Sequence, residues 1–478
     1  MARAFLDDDV LLGGDTARIL YHGVAAGLPV VDFHSHLPAA DLAADRVFAS
    51  LTDLWLDDDH YKWRAMRLAG VPEHLVTGPA DPWERFAAWA ATVPRLVRNP
   101  LHLWTHLELR RVFGIDLLLG PGTAREIWDE ANRQLPSWSA RRLLAHFGVR
   151  VVATTDDPAD DLAAHRVLAA AGPPDDPAPA VVPTFRPDAA HRLAGDAGAW
   201  TGWADRVGAA AGIAVTDLAS LLEALEAAHH RFAAAGCRAS DHGLASVPDV
   251  PRDPALADAT VRALHRGEPA GMPGRDALAL EVVTQSARLA AAGGTVLQLH
   301  LGAQRDASPR LLARRGADAG ADVMGDARQV PGLVRLLAGL EEAGTLPRCV
   351  VTNLNPADNA ACASVVGAFT GDGVAGLVQW GPPWWFNDHE AGLRRHLDDL
   401  SHLGLLAGFV GMCTDARSLL SMTRHELFRR VLCDVVGRDV DEGRVPDDPE
   451  ACADLVVAVC GGNASAHFGW AGPAGGGG

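Results

Sequence analysis

Val30-Val31-Asp32-Phe33-His34-Ser35-His36 is the stretch from which the fold can be read. Two β-branched residues lead into alternating side chains, and with a period of two His34 and His36 project to the same face. Two imidazoles about 6.5–7 Å apart along a strand can converge on one metal ion. A His-x-His pair is a weak signal by itself. It gains weight at the carboxyl end of a first barrel strand, because the chemistry of such barrels gathers at that end.

The form recurs. β-like runs lie at 30–36, 149–156, 180–186, 236–241, 295–300, 348–353, 376–380 and 408–415, most of them ending in polar or ionisable residues. Ala-, Leu- and Arg-rich stretches with helical spacing alternate with them, for example 218–235, 277–292, 330–343 and 390–403. Strand and helix alternating in this way predict an α/β chain folded as a (β/α)8 TIM barrel. A doubly wound sheet is the competing architecture, but it calls for a Gly-rich phosphate turn after an early strand, and the sequence has none.

Between the first two runs lie helical patterns at 82–96, 100–113, 122–134 and 139–147. They predict a helical insertion over about residues 45–147, within a single barrel spanning 1–470. Residues 173–183, rich in Pro and Asp, read as a surface loop. The Gly-rich 471–478 reads as a disordered tail.

Composition narrows the function classes. A formal net charge of −18 argues against nucleic-acid partners and anionic membrane surfaces. It also requires that any acidic substrate be held by local Arg or Lys groups. Seven scattered cysteines without a Cys-x-x-Cys pair read as reduced thiols of a cytoplasmic protein. The acidic start has no apolar core of signal-peptide length, and no apolar run reaches membrane-spanning length. A homo-oligomer is compatible with the sequence, which does not fix the oligomeric state.

Lys62 is the only lysine among 42 basic residues and adjoins one of only two tyrosines. Where nearly every Lys has become Arg, the survivor points to a task for a compact ammonium that can lose its proton. A chance survivor on a solvated face is the alternative. His60, Tyr61 and Lys62 in succession offer three proton-transfer groups.

Asp415, ending the eighth run, adjoins the first strand once the barrel closes and completes a His34/His36/Asp415 ligand set with open positions. That set suits zinc or another divalent transition metal, zinc first. His300 faces the same mouth as a ligand or proton carrier. Helix capping by Asp415 and a satisfied core His300 are the bland alternatives. Arg186 can hold a carboxylate bidentately, or make a rim salt bridge. Asp241, His242, Asn353 and Asn355 suit hydroxyls. Trp384 and Trp385 can cover a sugar face, although core packing suits one of them as well. Arg417 can stabilise an oxyanion or cap locally. The group Arg424-His425-Glu426 with Arg429-Arg430 reads as a solvated helix face.

These stretches resemble the uronate (glucuronate) isomerase family, a divergent branch of the amidohydrolase superfamily. The likeness lies in Asp-Phe-His-Ser-His-Leu-Pro (32–38), Asp-His-Tyr-Lys-Trp-Arg-Ala-Met-Arg (59–67), Thr-Phe-Arg-Pro (184–187), Ser-Asp-His-Gly-Leu (240–244), Gln-Leu-His-Leu-Gly-Ala (298–303), Trp-Trp-Phe-Asn-Asp (384–388) and Gly-Met-Cys-Thr-Asp-Ala-Arg-Ser (411–418). It implies a barrel with a metal at His34, His36 and Asp415. It also implies interconversion of D-glucuronate with D-fructuronate and of D-galacturonate with D-tagaturonate. Asp241 in place of a bridging lysine and Asn353 in place of His disfavour a dinuclear hydrolase.

The expected chemistry is an enediol proton transfer, with Tyr61, Asp415 and His300 as candidate bases and Tyr61 made more acidic by His60 and Lys62. In that scheme Lys62, Arg186, Asp241, Asn353, Trp384 and Trp385 contact substrate. The alternatives are a mononuclear metal hydrolase or lactonase acting on a related sugar acid, and a sugar-acid binding protein.

Overall fold

Three short parallel strands, β1 (Val30–Asp32), β2 (Val149–Ala153) and β3 (Ala180–Val182), pair in the order β1-β2-β3. The computed structural model describes residues 3–170, 179–371 and 373–470. A second arc begins with β4 (Ala239–Leu244) and β5 (Val296–Leu301). A small antiparallel pair, β6 (Ala303–Gln304) with β7 (Val323–Met324), stands outside the arc. The arc continues through β8 (Arg348–Asn353) and β9 (Val378–Trp380), in the parallel order β4-β5-β8-β9.

Phe185 joins the two arcs, bridging to Asp156 on one side and Ser240 on the other. The last expected run, 408–415, forms no strand: Gly408 ends the turn Leu406–Gly408 and no ladder follows it. Gly411 takes φ 87° and Asp415 φ 50°, and both values leave the β region. A Cβ on Gly411 would sit 2.3 Å from the carbonyl oxygen of Val459, so only glycine lets the segment pass there. The segment closes the ring through Asp415 N–H to the His34 carbonyl (3.0 Å) and His36 N–H to the Ala416 carbonyl (2.8 Å). The result is the TIM barrel that the alternation predicts.

Strand limits differ from the sequence reading. β1 ends at Asp32 and β3 at Val182, so His34, His36 and Arg186 lie on the loops just beyond. β4 runs through to Leu244, which puts Asp241 in mid-strand.

The helical insertion is present. Helices Pro82–Thr92, Pro100–Phe113, Ala124–Gln134 and Ala140–His146 lie between β1 and β2. Trp55, Phe86, Trp89, Ile127 and Leu143 form one buried cluster with Val30, Val149 and Val152. The insertion therefore shares its core with the first two strands, and each large side chain buried this way contributes about 1.5–3 kcal/mol. Val31, Leu297, Leu299, Val350 and Trp380 belong to the main barrel core. Trp200, Trp203, Phe232 and Leu278 form a third cluster.

Among the described residues no helix is long and apolar enough to cross a membrane. The expected loop at 173–183 falls partly, and the expected disordered tail at 471–478 wholly, outside the described residues.

Candidate active site at the barrel mouth

His34 and His36 leave β1 with their rings 5.2 Å apart and nearly perpendicular. His34 Nε2 lies 3.2 Å and His36 Nε2 3.0 Å from the same oxygen, Asp415 Oδ1. Asp415 reaches this place in a left-handed conformation, a strained state for a non-glycine residue that its surroundings must enforce. The enforcement is visible. Asp32 accepts hydrogen bonds from the Thr414 amide and hydroxyl, and the Asp415 amide is tied to His34.

Asp415 Oδ1 is buried and receives no hydrogen bond. Burial alone would raise its pKa, yet His36 and His34 hold it well below the carboxylate range. Burial lowers His36 to about 3, so that imidazole is neutral and keeps one ring nitrogen with a free lone pair. At His34 burial is outweighed by Asp241 and Asp415, and its pKa is raised. An anionic oxygen beside two imidazole nitrogens, at a point that favours positive charge, fits a divalent cation.

A second group, His34, Asp241 and His300, also lies within ligand reach of itself. It already contains a cation, because Arg186 Nη1 stands 3.1 Å from Asp241 Oδ2. Asp241 Oδ1 is 2.7 Å from His300 Nδ1. Arg186 and His300 overcome the effect of burial and hold Asp241 far below the carboxylate range. The anion therefore accepts the Nδ1 proton, which leaves His300 Nε2 as the nitrogen with a lone pair. Burial lowers the His300 pKa, so the ring is neutral. Asp241, completely buried, is thus a partner of Arg186 and His300, which corrects its expected contact with hydroxyls.

Arg186 is partly committed. Its Nε donates to Asp188 (3.2 Å) and its Nη1 faces Asp241. Asp188 in turn accepts from His242 Nδ1 and the Gly243 amide. The guanidinium rests on the bare face of Gly243, where a Cβ would come within 2.6 Å of Nη2.

Asp59 caps helix His60–Leu68 by accepting from the amides of Tyr61 and Lys62, which sets the His60 and Tyr61 side chains at the mouth. Their rings stack at 4.9 Å, and Trp385 meets His60 edge-on at 5.1 Å. Both His60 nitrogens and the Tyr61 hydroxyl are buried without a partner. Burial, helped by Arg417, lowers His60 to about 4. Burial also raises Tyr61 well above a free phenol, the reverse of the expected activation. A neutral His60 supplies no positive charge to stabilise a phenolate.

Lys62 is not at the mouth. Its side chain is 2% exposed, with Nζ 2.5 Å from Asp59 and 3.8 Å from Glu108, and it lies over the Trp55 ring. It is a buried counter-ion, and its expected contact with substrate is not supported. Asn353 is also internal. Its amide donates to Asn355 O and Asn359 Oδ1 and accepts from Trp380 Nε1, while Asn355 caps the turn Pro356–Asp358.

Trp384 donates to Asp415 Oδ2 and lies 5.0 Å from His300. Arg305 stands over both Trp384 and Trp385. Asp318, from the segment between β6 and β7, lies 3.6 Å from Arg417 and 3.9 Å from Arg305. Arg305, Asp318 and Asp188 escaped the sequence reading. Arg305 sits shortly past a strand end, where the barrel rule would have found it. The Arg424–Arg430 group is corrected outright: Arg424, His425, Arg429 and Arg430 are all buried.

The mouth thus joins a candidate cation site, neutral imidazoles, an unpartnered phenol and guanidinium groups. The glucuronate isomerase family model matches residues 2–468. The chain is 44% identical over 470 residues to the uronate isomerase of Solibacter usitatus, covering 98% of this chain and 99% of that protein. The crystal structure of a uronate isomerase from Thermotoga maritima superposes with a TM-score of 0.90 at 33% identity, covering 98% of this chain and all of that one. The glucuronate isomerase structure from Caulobacter crescentus gives 0.88 at 25% identity, covering 98% and 99%.

Proposed function

The chain belongs to the glucuronate isomerase family, and from that premise we propose that its barrel mouth interconverts aldo- and keto-hexuronates. The substrates are D-glucuronate and D-galacturonate, and the products D-fructuronate and D-tagaturonate. The observation that carries the reading is the convergence of His34, His36 and Asp415 beside the unpartnered His60 and Tyr61 and beside His300, whose Nδ1 is taken up by Asp241. One barrel unit over residues 1–470, acting in the cytoplasm, is part of the proposal.

His34, His36 and Asp415 would hold a divalent metal such as zinc, which when bound polarises substrate oxygens near carbons 1 and 2. The remaining steps belong to side chains. Arg305 and Arg417 receive the substrate carboxylate, since a carboxylate, that of Asp318, already lies between them. Arg186 keeps N–H donors free for the substrate while Asp188 and Asp241 fix its plane. Trp384 and Trp385 wall the cavity and exclude water.

His300 removes the proton at carbon 2 through Nε2 and returns it to carbon 1 on the same face. Asp241 holds its other nitrogen and stabilises the imidazolium as it forms. Tyr61, kept protonated by burial, donates a hydrogen bond to the developing enediol. Asp415, held anionic at the same mouth, is the second candidate base, a role that its Oδ1 would take in exchange for its place on the metal.

The test is conversion of D-glucuronate and D-galacturonate by the purified protein, with and without chelator. Failure to isomerise either sugar defeats the reading. In heavy water, deuterium should enter at carbon 1. Its absence, with internal return excluded, would replace the enediol by a hydride shift. Loss of solvent exchange in His300→Asn, with metal content unchanged, identifies His300 as the base; exchange kept in that variant removes His300 and leaves Asp415.

A further inference from the structure

Arg424 lies on helix Thr423–Asp441, 3% exposed, and contacts three separate parts of the site. Its Nη1 donates to the Thr414 carbonyl (2.7 Å), the residue before the strained Asp415. The same nitrogen donates to Asp388 Oδ2 (3.0 Å), just past the turn Trp385–Asn387. Nη2 donates to Ser421 Oγ. The guanidinium carbon stands 5.0 Å from the Tyr61 ring and 4.6 Å from the Trp104 ring.

We propose that Arg424 is a positioning residue for the isomerisation: it holds the Tyr61 ring and the Asp415 turn from behind and does not touch substrate. The proposal rests on the roles given above to Tyr61 and Asp415. A planar guanidinium can lie against aromatic rings while donating in its own plane to a carbonyl and a carboxylate, and an ammonium cannot do both. The charges facing it are Asp388, directly bonded, and Asp59, and Asp415 acts in turn on Asp388. Asp388 supplies the counter-charge a buried cation requires. Because Trp384 is bonded to Asp415 and Asp388 follows the same turn, one side chain registers the aromatic wall, the aspartate and the phenol together.

The test measures kcat and KM for uronate isomerisation in Arg424→Lys, Tyr61→Phe and the double variant. Arg424→Lys keeps the charge and its Asp388 partner. It is expected to lower kcat about 10- to 100-fold with KM changed less than about threefold. Tyr61→Phe should lower kcat, and the loss in the double variant should be clearly smaller than the product of the two single losses, the remainder coming through the Asp415 turn. Wild-type kcat in Arg424→Lys, or a KM effect as large as the kcat effect, overturns the proposal. So do single losses that multiply in the double variant, because Arg424 would then act apart from Tyr61. Full activity of Tyr61→Phe defeats the underlying assignment of Tyr61 and the inference with it. If Arg424→Lys does not fold, Arg424→Met with Asp388→Asn removes both buried charges together, and the same kcat-selective, non-multiplying pattern is required.

Discussion

Trp384 Nε1 donates a 2.9 Å hydrogen bond to Asp415 Oδ2, which leaves Oδ1 to face the imidazoles of His34 and His36. The indole thereby chooses which oxygen of the carboxylate would meet the proposed cation.

Trp384→Phe keeps most of the buried ring and removes this donor. Loss of such an outer partner typically weakens metal affinity about 10- to 100-fold. Competition with a chromogenic chelator should reveal that drop while the thermal midpoint changes little. Unchanged affinity would mean that Asp415 is oriented by other contacts.

Asp318 occupies the place between Arg417 and Arg305 proposed for the substrate carboxylate. Its side chain is 42% exposed, so each pair contributes at most about 1 kcal/mol. Asp318→Asn should therefore lower KM for uronates about two- to fivefold and leave kcat near its original value. A raised KM would show that Asp318 helps to bind substrate and does not compete with it.

Stability should fall as pH falls from neutrality. Burial lowers His60, His229 and His467 to about 4 and His396 to about 3. Each takes up a proton in the unfolded chain near pH 6.5 and in the native protein only well below that. The unfolded state therefore binds more protons across this interval, and stability is lost from about pH 6.5 downward. A shift of the size at His229 corresponds to about 3 kcal/mol at most. Urea midpoints between pH 7.5 and 5 should decline, and His229→Leu should flatten the decline. A flat profile in the parent protein contradicts the burial of these rings.

Lys62→Met leaves Asp59 and Glu108 facing each other without a cation. Breaking a buried pair in this way costs about 3–5 kcal/mol, visible as a lower urea midpoint. KM measured on the folded fraction should stay close to that of the parent. A selective rise in KM with unchanged stability would return Lys62 to the substrate.

The barrel was legible because strand and helix periods repeat along the chain, and His34-Ser35-His36 marked the end of the first strand at which the His34, His36 and Asp415 cluster gathers. Burial was harder to read. Arg424, His425, Arg429 and Arg430 look like a solvated helix face, yet Asp388 and Glu426 meet Arg424 and Arg430 inside the protein. The lone lysine suggested catalysis for a similar reason. The sequence displays its rarity but not Glu108, which comes from another helix and shares its charge.

The order of residues alone determined the alternating α/β pattern, the insertion after β1 and the choice of His34, His36 and Asp415 as candidate ligands, since these follow from local periodicity and residue chemistry. Only the tertiary structure decided which ionisable groups face the cavity and which neutralise one another behind it. That choice depends on partners distant in the chain, as with Arg186 and Asp241 or Arg424 and Asp388, and on the loss of water around them. Burial and pairing set the charge state of such groups, and neither is encoded in any single segment.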